Sequence, residues 1–316
     1  MDYLTLFVIF ALSFTVTFLF TPKLIRKAVE KNYVVRDRYK KDKPYVPTMG
    51  GLAIFAGVMV SLIVAQFLAQ DTEIARTLLI FYFIVVIFAM FGLADDLFDV
   101  GRKLKIFLPF FLALPIAQLN LDTNISLLFT EVEIGILYSF IIAPMYVMVV
   151  ANLVNMHSGY NGLSCGLSYI LLVFIAVKVY MDSGLENLFY IMPILGAMLA
   201  FLYHNTFPAS MFEGNTGALM FGSAIGGFIV LNSIEIFGVI ILIPHIINFL
   251  MYVVWRIKKL GEIKFGELRE DGTIKVPNPW TLKWTLPYYF RLTEHQGMWI
   301  MYILTTVFGV IGLSVT

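Results

Sequence analysis

Ten apolar runs, each closed off by polar residues, leave this chain few ways to fold. They cover Tyr3–Phe20, Gly50–Phe67, Thr77–Leu93, Ile106–Leu119, Ile136–Ala151, Leu163–Tyr180, Leu188–Tyr203, Thr216–Leu231, Ile236–Val254 and Met298–Val315. A bilayer core takes about 17 to 25 such residues per helix, fewer where the ends are ragged. The expectation is an all-α, polytopic integral membrane protein with about ten transmembrane helices. It forms a single membrane domain over residues 1–316 with short active-site loops. Composition agrees: 59% of residues are hydrophobic and 14% charged, whereas soluble domains are about half apolar and a quarter charged. The fourth run is the least regular, being short and holding Pro109 and Pro115; neighbouring helices can satisfy the groups such prolines free. The first run lacks a preceding base and a small-residue cleavage site, and reads as a retained span. Cys165 is the only cysteine, so no intrachain disulfide can form.

Charge then assigns the sides. Twenty of the 22 lysines and arginines fall in three segments, between runs one and two, three and four, and nine and ten. With ten spans these segments share one side, which the positive-inside rule makes cytoplasmic, with both termini outside. The opposite segments hold mainly acids, such as Asp71, Glu73, Asp122 and Glu235. The basic first loop flanks two spans and reads as a membrane-surface patch rather than a nucleic-acid site. The same parity puts Asp95–Lys105, Asn152–Gly162, His204–Gly214 and Arg256–Gln296 on the cytoplasmic side. That is the layout for a soluble cytoplasmic substrate meeting something held in the cell membrane.

Three of these segments carry candidate chemistry. Asp95, Asp96 and Asp99 close a long apolar run, with Asp95 and Asp99 on one helical face and Lys105 ten residues after Asp95. Charges at a bilayer edge are costly and are functional candidates by default, although a solvated helix end would look similar. Asn152, Asn155, Gly159, Asn161 and Gly162 follow the fifth run. Asparagine supplies a neutral oxygen ligand or a paired donor and acceptor, and glycine lets backbone approach a ligand; a hydrogen-bonded turn is the plainer alternative. The third segment, Phe207–Gly217, precedes the eighth run, where helix N–H groups favour anions. Phe212 in it can stack on a base or serve as an interfacial aromatic. His204, His245 and His295 lack metal spacing.

In order, these segments resemble the polyprenyl-phosphate N-acetylhexosamine-1-phosphate transferase family. The likeness rests on ten spans, an aspartate pair after the third, the asparagine segment after the fifth, Pro-Ala-x-x-Phe-x-Gly before the eighth, and a long loop after the ninth. Asn161-Gly162-Leu163 and Pro244-His245-Ile246-Ile247-Asn248-Phe249 look most like the eukaryotic and archaeal dolichyl-phosphate branch. The resemblance implies transfer of GlcNAc-1-phosphate from UDP-GlcNAc to a polyprenyl or dolichyl phosphate, with release of UMP. It implies Mg²⁺, with Mn²⁺ as a substitute. The implied partners are a UDP-sugar, the lipid phosphate and the bilayer, with no nucleic acid and with a homodimer left open.

Residue by residue, Asp95 and Asp96 match the acidic pair needed for activity, and Asp99 joins them as a catalytic candidate. Lys105 matches a lysine near the phosphates. Asn155 matches a metal ligand with Asn152 in support, and Asn161, Phe212 and Gly159 match the uridine pocket. Asn215 stands where the family has a metal-binding Asp, and Glu213 can compensate. The family's His- or Arg-rich last loop is replaced by Lys264–Thr273, where only Arg269 matches. Other UDP-hexosamines or a muramoyl-peptide donor fit the same chemistry. A cation-coupled transporter would need midplane charges and inverted repeats, which the sequence lacks, and Asn215 alone makes an inactive homologue worth weighing.

Overall fold

The computed structural model of the chain describes residues 2–69, 71–126, 131–259, 261 and 265–316. All ten apolar runs are helical. The helices are α1 (Tyr3–Glu30), α2 (Gly51–Leu68), α3 (Thr72–Phe98), α4 (Arg102–Ala113), α5 (Ala143–Met156), α6 (Leu163–Ser183), α7 (Met192–Asn205), α8 (Gly214–Leu231), α9 (Glu235–Ile241), α10 (Ile243–Ile257), α11 (Leu282–Tyr289) and α12 (Glu294–Val315). Three antiparallel hairpins join them: β1 (Val34–Arg36) with β2 (Tyr45–Pro47), β3 (Asn124–Ser126) with β4 (Glu131–Glu133), and β5 (Glu267–Leu268) with β6 (Ile274–Lys275).

The ten runs are not ten equal spans. Among the described residues, seven helical stretches are each long and apolar enough to cross a membrane. An eighth crossing is the α9–α10 pair, bent by 63°. Pro244 opens α10 and has no N–H to carry a helical bond across that break. The other two runs are shorter helices extended by 3₁₀ turns. Leu114–Gln118 continues α4, and Glu186–Tyr190 precedes α7. The fourteen residues of α7 rise about 21 Å at the α-helical step. The five-residue turn before it adds about 10 Å along the chain, close to the roughly 30 Å of a bilayer core.

At the centre stands α8, packed between α3 and α5. Every residue from Thr216 to Val230 is buried, the mark of a helix apolar all round. Contact with α3 is closest at Gly92, where an added Cβ would lie 2.4 Å from the Asn215 carbonyl oxygen. Only glycine lets the two backbones meet there. Asp96 lies one helical turn beyond Gly92 on the same face, and so arrives at the first turn of α8. A separate small core beneath the loops unites Tyr39, Tyr160, Leu163, Trp255, Ile274 and Trp284. It fixes the first and last loops against the bundle.

Candidate active site

The paired aspartates have different partners, because successive helical residues point about 100° apart. Asp96 Oδ1 accepts the Asn215 N–H at 2.8 Å. Its Oδ2 accepts the Thr216 N–H at 3.0 Å and the Thr216 hydroxyl at 2.7 Å. The residue before α8, Glu213, makes no side-chain cap bond, so Asp96 caps α8 from another helix. There it satisfies orphan donors and meets the positive end of the helix dipole. Asp95 turns the other way. Its Oδ1 accepts the Val100 N–H at 2.9 Å and pairs with Lys105 at 2.7 Å. Its Oδ2 is buried with no partner among the described residues. Asp99 ends α3 in a left-handed backbone, φ 48°. Its side chain is 99% exposed and 3.6 Å from Lys105.

Two cavities open on either side of this pair. The larger, about 690 Å³, is lined by Asp96, Asn155, Ser158–Asn161, Phe212–Asn215 and the first-loop residues Val34–Tyr39. The smaller, about 460 Å³, is lined by Asp99, Arg102, Lys105, Met156, Tyr252, Trp255, Arg256, Lys283 and Trp284 among others. No residue lines both. One cavity is acidic and amide-rich at its bundle wall; the other is cationic and aromatic.

Of the residues singled out in the sequence, Asp96, Asn155, Gly159, Asn161, Phe212 and Asn215 meet in the larger cavity. Asp99 and Lys105 line the smaller, with Asp95 behind Lys105. Two lie in neither. Asn152 donates its amide to the Met148 carbonyl of its own helix at 3.0 Å. Arg269 donates to the Ile274 carbonyl at 2.7 Å and to the Thr273 hydroxyl at 3.3 Å, so it braces its own hairpin. Lys264, also in the matched last-loop segment, lies outside the described residues.

The sequence reading missed a buried knot at the mouth of the larger cavity. Lys40 pairs with Asp37 at 3.2 Å and with Glu294 at 2.5 Å. Asn161 donates its N–H to Glu294 at 2.7 Å and its amide to Asp37 at 3.1 Å. The Asn161 Oδ1 accepts the Ala209 N–H at 2.8 Å. Four segments distant in sequence are thereby joined at one end of the bundle. Lys283 was missed too. Its ammonium donates to the Ser158 carbonyl, and its own carbonyl accepts the Tyr160 hydroxyl at 2.9 Å. Burial pushes its pKa down to about 8. A signal existed for each: Asp37 is a lone acid between two arginines, Lys283 a lone cation among tryptophans, and Glu294 the charge that opens the last apolar run.

The larger cavity fits a hard divalent cation shared with a substrate. Asn155 and Asn215 present amides with no protein partner among the described residues. Asp96 supplies a carboxylate, and Glu213 sits nearby, held by Asn205 at 2.8 Å. Burial pushes the Glu213 carboxyl above its usual range. No three His, Cys, Asp or Glu side chains converge among the described residues. A cage made wholly of charged protein ligands is therefore not on offer. This donor set suits Mg²⁺, which takes one or two carboxylates and leaves its remaining positions to water and substrate phosphate.

A membrane bundle that sets an acid-and-amide cavity beside a cationic one offers a seat for a cation-bound diphosphate and a seat for a second phosphate. The chain belongs to glycosyl transferase family 4, whose profile matches residues 77–233, from α3 to the end of α8. It is 27% identical over 96% of its length, and 94% of the other chain, to a Saccharolobus solfataricus protein. That protein is provisionally named UDP-N-acetylglucosamine–dolichyl-phosphate N-acetylglucosaminephosphotransferase. The phospho-N-acetylmuramoyl-pentapeptide-transferase of Staphylococcus haemolyticus is 26% identical over 93% of this chain and 99% of its own. A Bacillus subtilis protein provisionally named undecaprenyl-phosphate N-acetylglucosaminyl 1-phosphate transferase is 28% identical over 74% and 66%.

Proposed function

We propose that the protein transfers GlcNAc-1-phosphate from UDP-GlcNAc to dolichyl or another polyprenyl phosphate at the cytoplasmic face of the cell membrane, releasing UMP. The observation that carries this is the pair of adjoining cavities, one lined by Asp96 and the other by Lys105, the ion partner of Asp95. UDP-GlcNAc occupies the larger one, its uracil near Phe212 and Gly159. There Asn161 shapes the pocket wall, since both ends of its amide are already bound to the protein. The lipid phosphate occupies the smaller one, drawn by Lys105.

Asp96, Asn155 and Asn215 are the residues that would hold Mg²⁺. When bound, Mg²⁺ would offset charge on the diphosphate. A bond forms between an oxygen of the acceptor phosphate and the sugar-bearing phosphorus, and the bond from that phosphorus to the UMP oxygen breaks. Bringing two anions into line is the main obstacle, so positioning and charge compensation supply most of the rate. Asp95, paired through Oδ1 with Lys105, holds that ammonium at the wall of the cavity assigned to the acceptor phosphate. The basic segments support a cytoplasmic site and outward termini.

The test is incubation of purified protein with UDP-GlcNAc, Mg²⁺ and a short polyprenyl phosphate. UMP and lipid-linked GlcNAc are expected together. Neither product forming, from folded protein, would overturn the reading. UDP-GalNAc and UDP-MurNAc-pentapeptide in the same panel report the donor.

A further inference from the structure

The two cavities share no lining residue, yet transfer requires an acceptor oxygen in one to reach a phosphorus in the other. The seam between them includes one charged side chain that crosses it. Lys283 lines the smaller cavity, Ser158 lines the larger, and the Lys283 ammonium donates to the Ser158 carbonyl. Building on the transfer reaction above, we propose that Lys283 is a phosphate-binding residue. Its ammonium leaves the Ser158 carbonyl and is shared between the donor diphosphate and the acceptor phosphate.

The state of the other cations supports this choice. Lys105 is paired with Asp95. Arg36 donates to the Tyr45 hydroxyl at 3.0 Å and lies over that ring, and Arg38 lies over Phe265. Arg102 and Arg256 have partners of their own. The nearby carboxylate of Glu294 is already paired with Lys40. Lys283 donates to a neutral carbonyl and lies 5.7 and 5.9 Å from the Tyr160 and Trp284 ring centres; a buried ammonium with no carboxylate paired to it costs stability. A phosphate is the partner it lacks.

The surroundings are built around that ammonium. Gly159 has φ +108°, and a Cβ there would lie 2.3 Å from Lys283 Nζ, so any larger residue would displace it. The backbone of α11 is pinned by the Tyr160 hydroxyl and by Trp284, fully buried and 5.6 Å from Trp255 between ring centres. The tip of Lys283 can therefore swing between carbonyl and ligand without moving the loop. No proton transfer is asked of it; it offsets charge where two anions meet. Lys283 also lies beyond the segment matched by the family profile, in the loop where Arg269 turns away.

The experiment uses the full chain in detergent or vesicles with UDP-GlcNAc, Mg²⁺ and short polyprenyl phosphate. Lys283→Gln should lower kcat by about 100-fold while UDP-GlcNAc affinity, measured separately, stays within about threefold. Lys283→Cys should be equally impaired, and S-aminoethylation, which restores an ammonium at similar reach, should recover at least about tenfold. Cys165 is buried and is the only native thiol, so the modification is selective. The inference fails if Lys283→Gln turns over within about threefold of the unsubstituted protein, or if only KM for the donor rises. It also fails if aminoethylation restores nothing to a Lys283→Cys protein of unchanged thermal midpoint. An unsubstituted protein without turnover would instead overturn the transfer reading on which the inference rests.

Discussion

The two cavities adjoin at one helix end but are built on opposite plans. The larger is closed by contacts distant in sequence: Asp37, Asn161 and Glu294 lock the first loop, the asparagine turn and α12 together. Its floor is the first turn of the most buried helix, capped by Asp96. The smaller is walled by the C-terminal end of α10, the far end from the α9–α10 bend, and by the short α11, with cations and aromatic rings among its lining. A preorganised chamber suits a soluble nucleotide sugar that must be oriented at every atom. A cationic chamber beside a bent span suits a phosphate that arrives on a lipid. Two adjacent aspartates serve the two chambers because one residue step on a helix turns the side chain to a different wall.

The sharpest way to break this comparison is to remove the shared floor. Asp96→Ala leaves two N–H groups and a hydroxyl of α8 without their acceptor and removes the carboxylate from the larger cavity. Turnover should fall by about 1,000-fold, and stability should drop by about 1 to 2 kcal/mol for the lost cap. Both are read on the same sample, by UMP release and by thermal unfolding in detergent. A Asp96→Ala protein with near-normal turnover would mean that the larger cavity is not the seat of the chemistry. Asp95→Asn addresses the other chamber. It leaves Lys105 only the exposed Asp99 at 3.6 Å as an ion partner and should cost about 100-fold in turnover, with the KM for lipid phosphate changing and that for UDP-GlcNAc holding steady. The opposite split would reverse the assignment of the two cavities.

A pH series separates the seam from both walls. Lys283 gives up its proton near pH 8 in the folded protein and near 10.4 in an unfolded chain. Between those values the unfolded chain binds more protons, so stability from this group rises with pH across the window. Activity should move the other way, falling by about tenfold for each pH unit above 8. Lys283→Arg, always charged, should flatten that alkaline limb. Parallel loss of stability and activity above pH 8 would show that the limb has another origin.

Smaller still is the effect expected inside the larger cavity from Asn215→Asp. A carboxylate in place of an amide strengthens a Mg²⁺ site, and half-saturation should move to about threefold to tenfold lower Mg²⁺. The like charges of Asp96 and Glu213 nearby set the limit on that gain. A Mg²⁺ titration that does not move would place the cation away from Asn215.

The pattern of what was legible in the sequence follows from where the information lies. Apolar runs are local, so the ten runs were foreseen as helical, while the short α11 was read as part of a loop. The breaks inside those runs were not, because a proline such as Pro244 can start a helix or kink one. Asp96, Asn155 and Asn215 stood out as polar residues at span ends, where their charge or amide is costly. Lys283, Asp37 and Glu294 act through partners more than a hundred residues away, and no local pattern announces such a meeting. Asn152 shows the converse case. Its spacing from Asn155 puts both near one helical face, yet its amide turns back to Met148, a choice between helix backbone and cavity that spacing cannot make.

Arg269 gives the smallest effect and the cleanest control. It was the one last-loop residue that matched a phosphate-gripping position, yet its guanidinium is spent on Ile274 and Thr273 within its own hairpin. Arg269→Ala should therefore leave kcat and both KM values within about twofold. Loss of the brace should lower stability by about 1 kcal/mol, the usual net worth of such a bond. Because Arg269 and Lys283 stand on the same loop, the pair of substitutions asks whether the loop as a whole or one ammonium on it is needed. A large kcat loss in Arg269→Ala, equal to that in Lys283→Gln, would point to the loop's placement. A silent Arg269→Ala beside an impaired Lys283→Gln would confine the requirement to the seam between the cavities.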